Sequence, residues 1–368
     1  MNKKNFLHYC FYSLALSAVL LGLNSCSSTK EQEVLPISTP KDISSPIQVL
    51  PELSVEKIVL PESTSVPLSI NQSVKNFIHQ MVTKHHFDER ELTELLQLAI
   101  IKNDILKRIS SPSEGLPWHK YRKIFLTQTR IEGGVKFWQE NAQTLSVVSQ
   151  QTGVPPEVIV AIIGVETGYG KNMGNHRVLD ALATLAFAYP PRSSFFTGEL
   201  EQFLLLCREE NKNPREPLGS YAGAMGYPQF MPSSFRSLAR DFEKDGKRDI
   251  WQNPRDAIAS IGYYFQQNGW QQGQLIAAKA SFDGSQYKTF VTKDLKLNTT
   301  IGQLAHAGVH SIETFPSATK VKLVSLEQLD GDELWLGFHN FHVITRYNHS
   351  PLYAMAAYQL SQEIKQHR

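Results

Sequence analysis

The segment Pro155–Gly170 constrains this chain more than any other. It reads Pro-Pro-Glu-Val-Ile-Val-Ala-Ile-Ile-Gly-Val-Glu-Thr-Gly-Tyr-Gly, with Pro155 and Pro156 suited to a helix start and Gly168 and Gly170 to its end. Such an apolar helix must be enclosed by other elements. One acid interrupts it. Counting back from Glu166 by three, four, seven and eight residues meets Ile163, Ile162, Ile159 and Val158, so its carboxyl lies on an apolar stripe. It also falls in the last turn, where the negative end of the helix dipole disfavours a carboxylate. Burial and dipole together predict a raised pKa, which a general acid working near neutral pH requires. The plainer alternative is a glutamate turned to water or capping a neighbouring element.

The amino terminus reads as an export signal. Lys3 and Lys4 precede an apolar stretch from Phe6 to Leu23 that is too short and too polar for a confident spanning helix. It ends in Leu23-Asn24-Ser25-Cys26, similar to a bacterial lipobox, so Cys26 is the expected lipidation site and first mature residue. An ordinary cleaved signal with an incidental cysteine is the alternative. Of the three cysteines, Cys10 leaves with the signal and Cys26 carries lipid. Cys207, in the apolar run Phe203–Cys207, then has no disulfide partner and is expected in the core. No metal cluster of cysteine and histidine can be assembled.

Residues 26–71 carry Pro36, Pro40, Pro46, Pro51, Pro61 and Pro67 among Ser, Thr, Glu and Val, without glycine after Cys26 and without helical period. This is the composition of an extended, disordered tether. Residues 72–368 then form the folded domain, long enough for a sizeable core. A net charge of +2 and the absence of a basic run with interleaved aromatics argue against nucleic acid.

Helical period dominates that domain, over Val74–His85, Arg90–Lys107, Glu132–Gln151, Asp180–Phe187, Phe196–Glu209, Pro232–Phe242, Pro254–Gln267 and Leu352–Lys365. Lys320–Leu326, Glu333–Phe338 and Phe341–Arg346 read as short strands, with Asp330-Gly331 a turn between the first two. The fold class is α+β, predominantly helical, with a small antiparallel sheet near the carboxyl terminus.

A second segment, Ser220–Ser234, contains glycines that let backbone approach a ligand, Tyr221, Tyr227 and Phe230 as flat faces, and the Gln229 amide. Aromatic faces and amides suit sugars, although a structural glycine-rich loop would look similar. Taken together, Val165-Glu-Thr167 with Gly170, Ala222–Pro232 (Ala-Gly-Ala-Met-Gly-Tyr-Pro-Gln-Phe-Met-Pro), Ile344-Thr-Arg-Tyr-Asn348, Leu179–Ala186 and Phe195–Leu200 resemble the membrane-bound lytic transglycosylase B family over about residues 75 to 368.

The resemblance implies a lysozyme-like core with flanking helical lobes and Glu166 as the only catalytic carboxylate. Glu166 is then expected to protonate the glycosidic oxygen between N-acetylmuramic acid and N-acetylglucosamine in peptidoglycan. As a carboxylate it would take the proton of the muramic acid C6 hydroxyl, which closes a 1,6-anhydro ring. No cofactor is needed. A hydrolase would want a second acid nearby, and Ser220–Ser234 contains none; Glu157 and Asp180 look like helix-start residues. The family's cleft maps onto Tyr121, Ser220, Met225, Gln229, Phe230, Tyr264, Tyr347, Asn348 and Tyr353, although Tyr353 at a helix start would serve equally as packing. His349 reads as a satisfied structural histidine.

Asp241–Asp249 follows the EF-hand pattern, with oxygen donors at the first, third, fifth and ninth positions and Gly246 at the sixth. The twelfth residue is Gln252 rather than glutamate. The resemblance supplies Asp256 as the closing ligand, giving Asp241, Glu243, Asp245, Lys247 (through its carbonyl), Asp249 and Asp256 around a structural calcium ion. Asp256 reads equally well as a first-turn helix acid. The expected setting is a lipid-anchored protein facing the periplasm, at the outer membrane, with peptidoglycan strands as substrate and cell-wall synthesis or division proteins as partners. The rival functions are a hydrolytic muramidase and a lipoprotein that binds peptidoglycan without cutting it.

Overall fold

The computed structural model describes residues 65–110 and 116–368. The expected signal, Cys26 and most of the expected tether therefore lie outside the described residues. The folded part includes Val66–Pro67, which pairs antiparallel with Ile100–Ile101, so it starts ahead of the boundary read at residue 72.

Helix Pro156–Thr167 is the centre of the main core. Every residue from Glu157 to Val165 is buried, so enclosure is complete rather than confined to one stripe. Helices Gln128–Glu140, Ala142–Thr152, Pro254–Gln267 and Pro351–His367 surround it. Burying each of Ile159, Ile162 and Ile163 contributes roughly 1.5–3 kcal/mol. Pro156 opens the helix, and Gly168 ends it at φ 57°. The Gly168 and Tyr169 amides donate back to the Gly164 and Ile163 carbonyls, a Schellman-type closure that a residue with a Cβ would strain.

Two expected helices are divided. Arg90–Lys107 is helix only over Glu89–Gln97 and Asn103–Ile109. Between them Ile100 and Lys102 donate their amides to the side chains of Asp180 and Thr184 at 3.0 Å each, which hold the chain extended. Glu132–Gln151 is broken at Asn141, giving Gln128–Glu140 and Ala142–Thr152. Helix Val178–Ala188 carries Asp180 and Thr184, and Ser193–Glu209 packs beside it with Cys207 buried and free as expected.

The sheet is antiparallel throughout. Its spatial order is Thr299–Thr300, Lys320–Gln328, Gly331–Gly337, Ala277–Phe282, Val309–Ser311. One set of its side chains, including Leu323, Leu334 and Leu336, closes a small second core, while Val324 and Leu326 join the main one. The expected strand Phe341–Arg346 is instead helix His339–Tyr347, whose Phe341, Val343 and Ile344 are buried at helical spacing. The alanine-rich strand Ala277–Phe282 escapes notice in the sequence because its side chains carry little β preference.

Candidate active site

The carboxyl of Glu166 emerges at the end of the central helix. It keeps some accessible surface, yet protein surrounds it closely, and burial pushes its pKa up to about 7. The Tyr353 hydroxyl donates to Glu166 Oε1 at 2.5 Å and pulls that pKa back partway, because the bond favours the ionised form. Tyr353 sits in the first turn of helix Pro351–His367, fixed where the Ser350 side chain caps the Tyr353 amide. Burial holds the Tyr353 hydroxyl well above the ordinary tyrosine range, so it remains a donor.

Arg130 offsets the helix dipole that the sequence places against Glu166. Its guanidinium donates to the carbonyls of Gly164 and Val165, the two residues before Glu166. A cation therefore sits on the negative helix end, and burial is what raises the acid. Tyr169 at φ 65° donates its hydroxyl to the Arg130 carbonyl at 2.7 Å. A Cβ on Gly164 would lie 2.5 Å from that hydroxyl, so the glycine makes room for it. Neither Arg130 nor Tyr169 was identified from sequence; the glycines at 133, 134 and 164, all lining the Tyr169 ring, are the signal that marks the spot.

The Ser220–Ser234 loop lies alongside. The Ser220 side chain accepts the amides of Ala222 and Ala224, and Met225 bridges to Gly219 and to Phe230. Thr167 ties the helix to this loop, taking the Gly170 amide and donating to the Tyr227 carbonyl at 3.4 Å. Gln229 adopts φ 49°, and its amide nitrogen donates to the Met173 and Gly226 carbonyls, leaving its carbonyl oxygen for a ligand.

The structure divides the expected groove residues into two groups. Met225, Phe230 and Tyr264 are buried members of the core, so they present no open face to a sugar. Phe230, Tyr264 and Tyr347 pack ring against ring, and Tyr347 stacks parallel to Tyr353 with centroids 6.4 Å apart. Hydroxyls lock the cluster: Tyr264 to the Arg346 carbonyl and Tyr347 to the Pro228 carbonyl, each at 2.6 Å. Tyr121 is also buried, stacked on Trp118, with its hydroxyl close enough to affect that of Tyr353. Ser220, Gln229, Tyr347 and Asn348 keep accessible surface. His349 is not a satisfied histidine: its Nδ1 is buried without a partner among the described residues. Burial, with Arg346 and His342 nearby, lowers its pKa to about 4, so it is neutral.

Each other buried carboxylate among the described residues is occupied. Glu157 meets Lys365 at 2.7 Å, and Asp180 meets Arg177. Glu199 accepts from Ser233, and Glu201 from Lys84, His85 and Gln80. Asp256 takes the Phe242 and Asp249 amides. Burial and Tyr353 account for the shift of Glu166, with no second carboxylate contributing. A lone acid poised near neutrality is the chemistry of a proton donor.

The expected metal loop is partly assembled. Burial raises Asp256, and the nearby Asp241 and Asp245 charges add to it. Asp241, Asp245 and Asp249 accept amides of their own loop. Glu243 departs from its expected role, pairing with Arg255 and Asn253. Among the described residues no group of three or more acids, histidines or cysteines is arranged to hold an ion, so the donors do not fit a metal as they stand.

A helix-enclosed acid, a tyrosine donor and an aromatic wall define a lysozyme-like glycan-cleaving enzyme. Residues 69–362 match the transglycosylase SLT domain, and the chain belongs to this family of lytic transglycosylases. It is 42% identical over 304 residues to the membrane-bound lytic murein transglycosylase B of Escherichia coli, covering 80% of this chain and 83% of that protein. A soluble lytic transglycosylase from Pseudomonas aeruginosa shares the fold with a TM-score of 0.77 at 43% identity, over 81% of this chain and 99% of the other. An Escherichia coli lytic transglycosylase solved with calcium gives 0.77 at 41% identity, over 83% and 96%.

Proposed function

We propose that Glu166 carries both proton transfers in cleaving the β-1,4 bond between N-acetylmuramic acid and N-acetylglucosamine. Protonated Glu166 gives its proton to the bridging oxygen as the C1–O bond breaks. The resulting carboxylate accepts the proton of the muramic acid C6 hydroxyl as that oxygen bonds to C1. The products are a 1,6-anhydro end and a free N-acetylglucosamine hydroxyl, with no water consumed and Glu166 protonated again. The observation that carries this reading is a carboxyl raised to about 7 and held by Tyr353 at the end of the central helix, with every other buried acid among the described residues engaged elsewhere. One group suffices because the nucleophile belongs to the substrate.

Gln229, Ser220, Tyr347 and Asn348 are the groove residues with surface to offer the glycan, while Tyr121, Met225, Phe230 and Tyr264 support the wall. The test is mass analysis of products released from purified sacculi. Anhydro ends support the proposal; reducing muramic ends, heavier by one water, would make the enzyme a muramidase.

Lipid anchoring at Cys26 and residence at the outer membrane complete the proposal. They rest on the lipobox-like sequence and on the membrane-bound relative. No helix among the described residues is long and apolar enough to cross a membrane. Labelled palmitate incorporation, lost in Cys26→Ala, tests the anchor. Calcium at residues 241–256 is supported by the EF-hand spacing, the mutually repelling charges of Asp241, Asp245 and Asp256, and the calcium-bound relative. Binding requires the loop to rearrange.

A further inference from the structure

We propose that Arg130 is a positioning residue, which fixes the last turn of the catalytic helix beneath Glu166 and offsets the negative charge of that helix end. This rests on Glu166 being the acid. The geometry is specific. Arg130 leaves helix Gln128–Glu140 in its first turn and reaches the carbonyls of the helix's last turn, that of Gly164, which it shares with the Gly168 amide, and that of Val165. Its guanidinium also lies over the Phe125 ring, 5.4 Å from the centroid, so it is held from both sides.

Tyr169 completes the clamp. Its hydroxyl returns to the Arg130 carbonyl, its ring fills the space left by Gly133, Gly134 and Gly164, and its backbone closes the helix on Ile163. The residues on both sides of Glu166 are thus tied to one arginine, two before it directly and one after it through Tyr169. Among the described residues no carboxylate is bonded to the Arg130 guanidinium, and its acceptors are the two helix carbonyls. A cation half-buried against carbonyls and an aromatic ring loses solvation, and its own pKa is lowered accordingly.

Two consequences follow for Glu166. Loss of the guanidinium frees the last turn, so the carboxyl is no longer held against Tyr353. It also uncovers the negative helix end, which disfavours the carboxylate and moves the acid's titration upward. The other titratable groups facing Glu166 are Tyr353, Tyr347 and Tyr264, all raised by burial and uncharged, with Arg346 beyond Tyr264. None of them changes charge between pH 6 and about 9, so a moved profile reports on Glu166 and the helix end.

The experiment compares the full chain with Arg130→Met, Arg130→Lys and Tyr169→Phe, measuring turnover of sacculi against pH, KM and thermal unfolding. Arg130→Met is expected to lose about tenfold or more in kcat, to change KM less than about twofold, and to shift the alkaline limb upward by about half a pH unit or more. Arg130→Lys, which keeps the charge and can reach a carbonyl, should recover most of the rate and the original limb. A folded Arg130→Met with unaltered kcat and limb overturns the inference. So does a rate loss that follows unfolding alone, with Arg130→Lys at the original limb and no better than Met. If Arg130→Met fails to fold, Tyr169→Phe decides it: a several-fold lower kcat with KM little changed is expected, and wild-type kcat overturns the inference. Absence of cleavage by the unaltered chain would instead refute the proposed activity.

Discussion

Tyr353 and Glu166, 187 residues apart, share a 2.5 Å hydrogen bond in which the tyrosine donates. The bond does two opposing things to a general acid. It aims the carboxyl, and it makes the proton easier to lose.

Tyr353→Phe separates these effects. Removing one donor to a carboxylate costs about 1.5–3 kcal/mol of anion stabilisation, equivalent to about one to two pKa units. The alkaline limb should therefore move up by about one unit, while kcat falls about tenfold for want of aim. A rate–pH series on the variant checks both, and a limb unmoved or moved downward contradicts this account.

Glu166→Gln should abolish turnover while glycan binding stays measurable by sedimentation with sacculi. It should also stabilise the fold above neutral pH. A pKa raised from 4.5 to about 7 means the folded state holds this proton more tightly than the unfolded chain does. The resulting stability is complete below about pH 4.5 and is lost as pH rises through about 7, up to about 3 kcal/mol. Glutamine removes the buried charge, so the variant's Tm should exceed that of the parent at pH 8 and match it near pH 4. Equal Tm values at both pH values would show that the acid is not buried as described.

The alkaline limb of the unaltered enzyme should fall near pH 7, because the bond-breaking step needs the protonated form of Glu166. Each further unit should cost about tenfold in kcat/KM. A rate that still climbs at pH 9 would point to a different acid.

Gly170→Ala should damage the site without touching a polar group. At φ 83° the glycine faces Tyr227, and an added Cβ would lie 2.4 Å from the ring. Overpacking of this kind costs about 1–3 kcal/mol, and Tyr227 belongs to the same loop as Gln229. Chemical denaturation and kcat should both register the change. Gly198→Ala, where the Cβ meets nothing within 4 Å, is the matched control.

Calcium should raise Tm only if the 241–256 loop gathers its carboxylates. The mutually repelling charges of Asp241, Asp245 and Asp256 predict a gain on adding calcium that Asp245→Asn reduces. A Tm indifferent to calcium and chelator would leave the loop as hydrogen-bonded scaffold.

What could be read in advance follows how local each signal is. The central helix was legible because prolines, glycines and an isoleucine stripe all lie within its own span. Its acid was legible for the same reason. The break at Ile100 was not, since it is imposed by Asp180 and Thr184 from a helix some eighty residues later. Helix His339–Tyr347 was mistaken for a strand because short aromatic-rich runs fit either period. Within the site, Tyr353 was marked as a groove residue, but its bond to Glu166 is a tertiary fact. Met225 and Phe230 carried the right residue types for a sugar surface and proved to be its buried backing. Arg130 was hidden because an arginine in a helix's first turn ordinarily looks solvated.

Helix Pro351–His367 supplies both a wall of the central core and the hydrogen bond to the acid. The acid and the hydroxyl that aims it therefore come together only when this helix docks on the one that carries Glu166. Whatever loosens that packing disarms the site before it unfolds the rest.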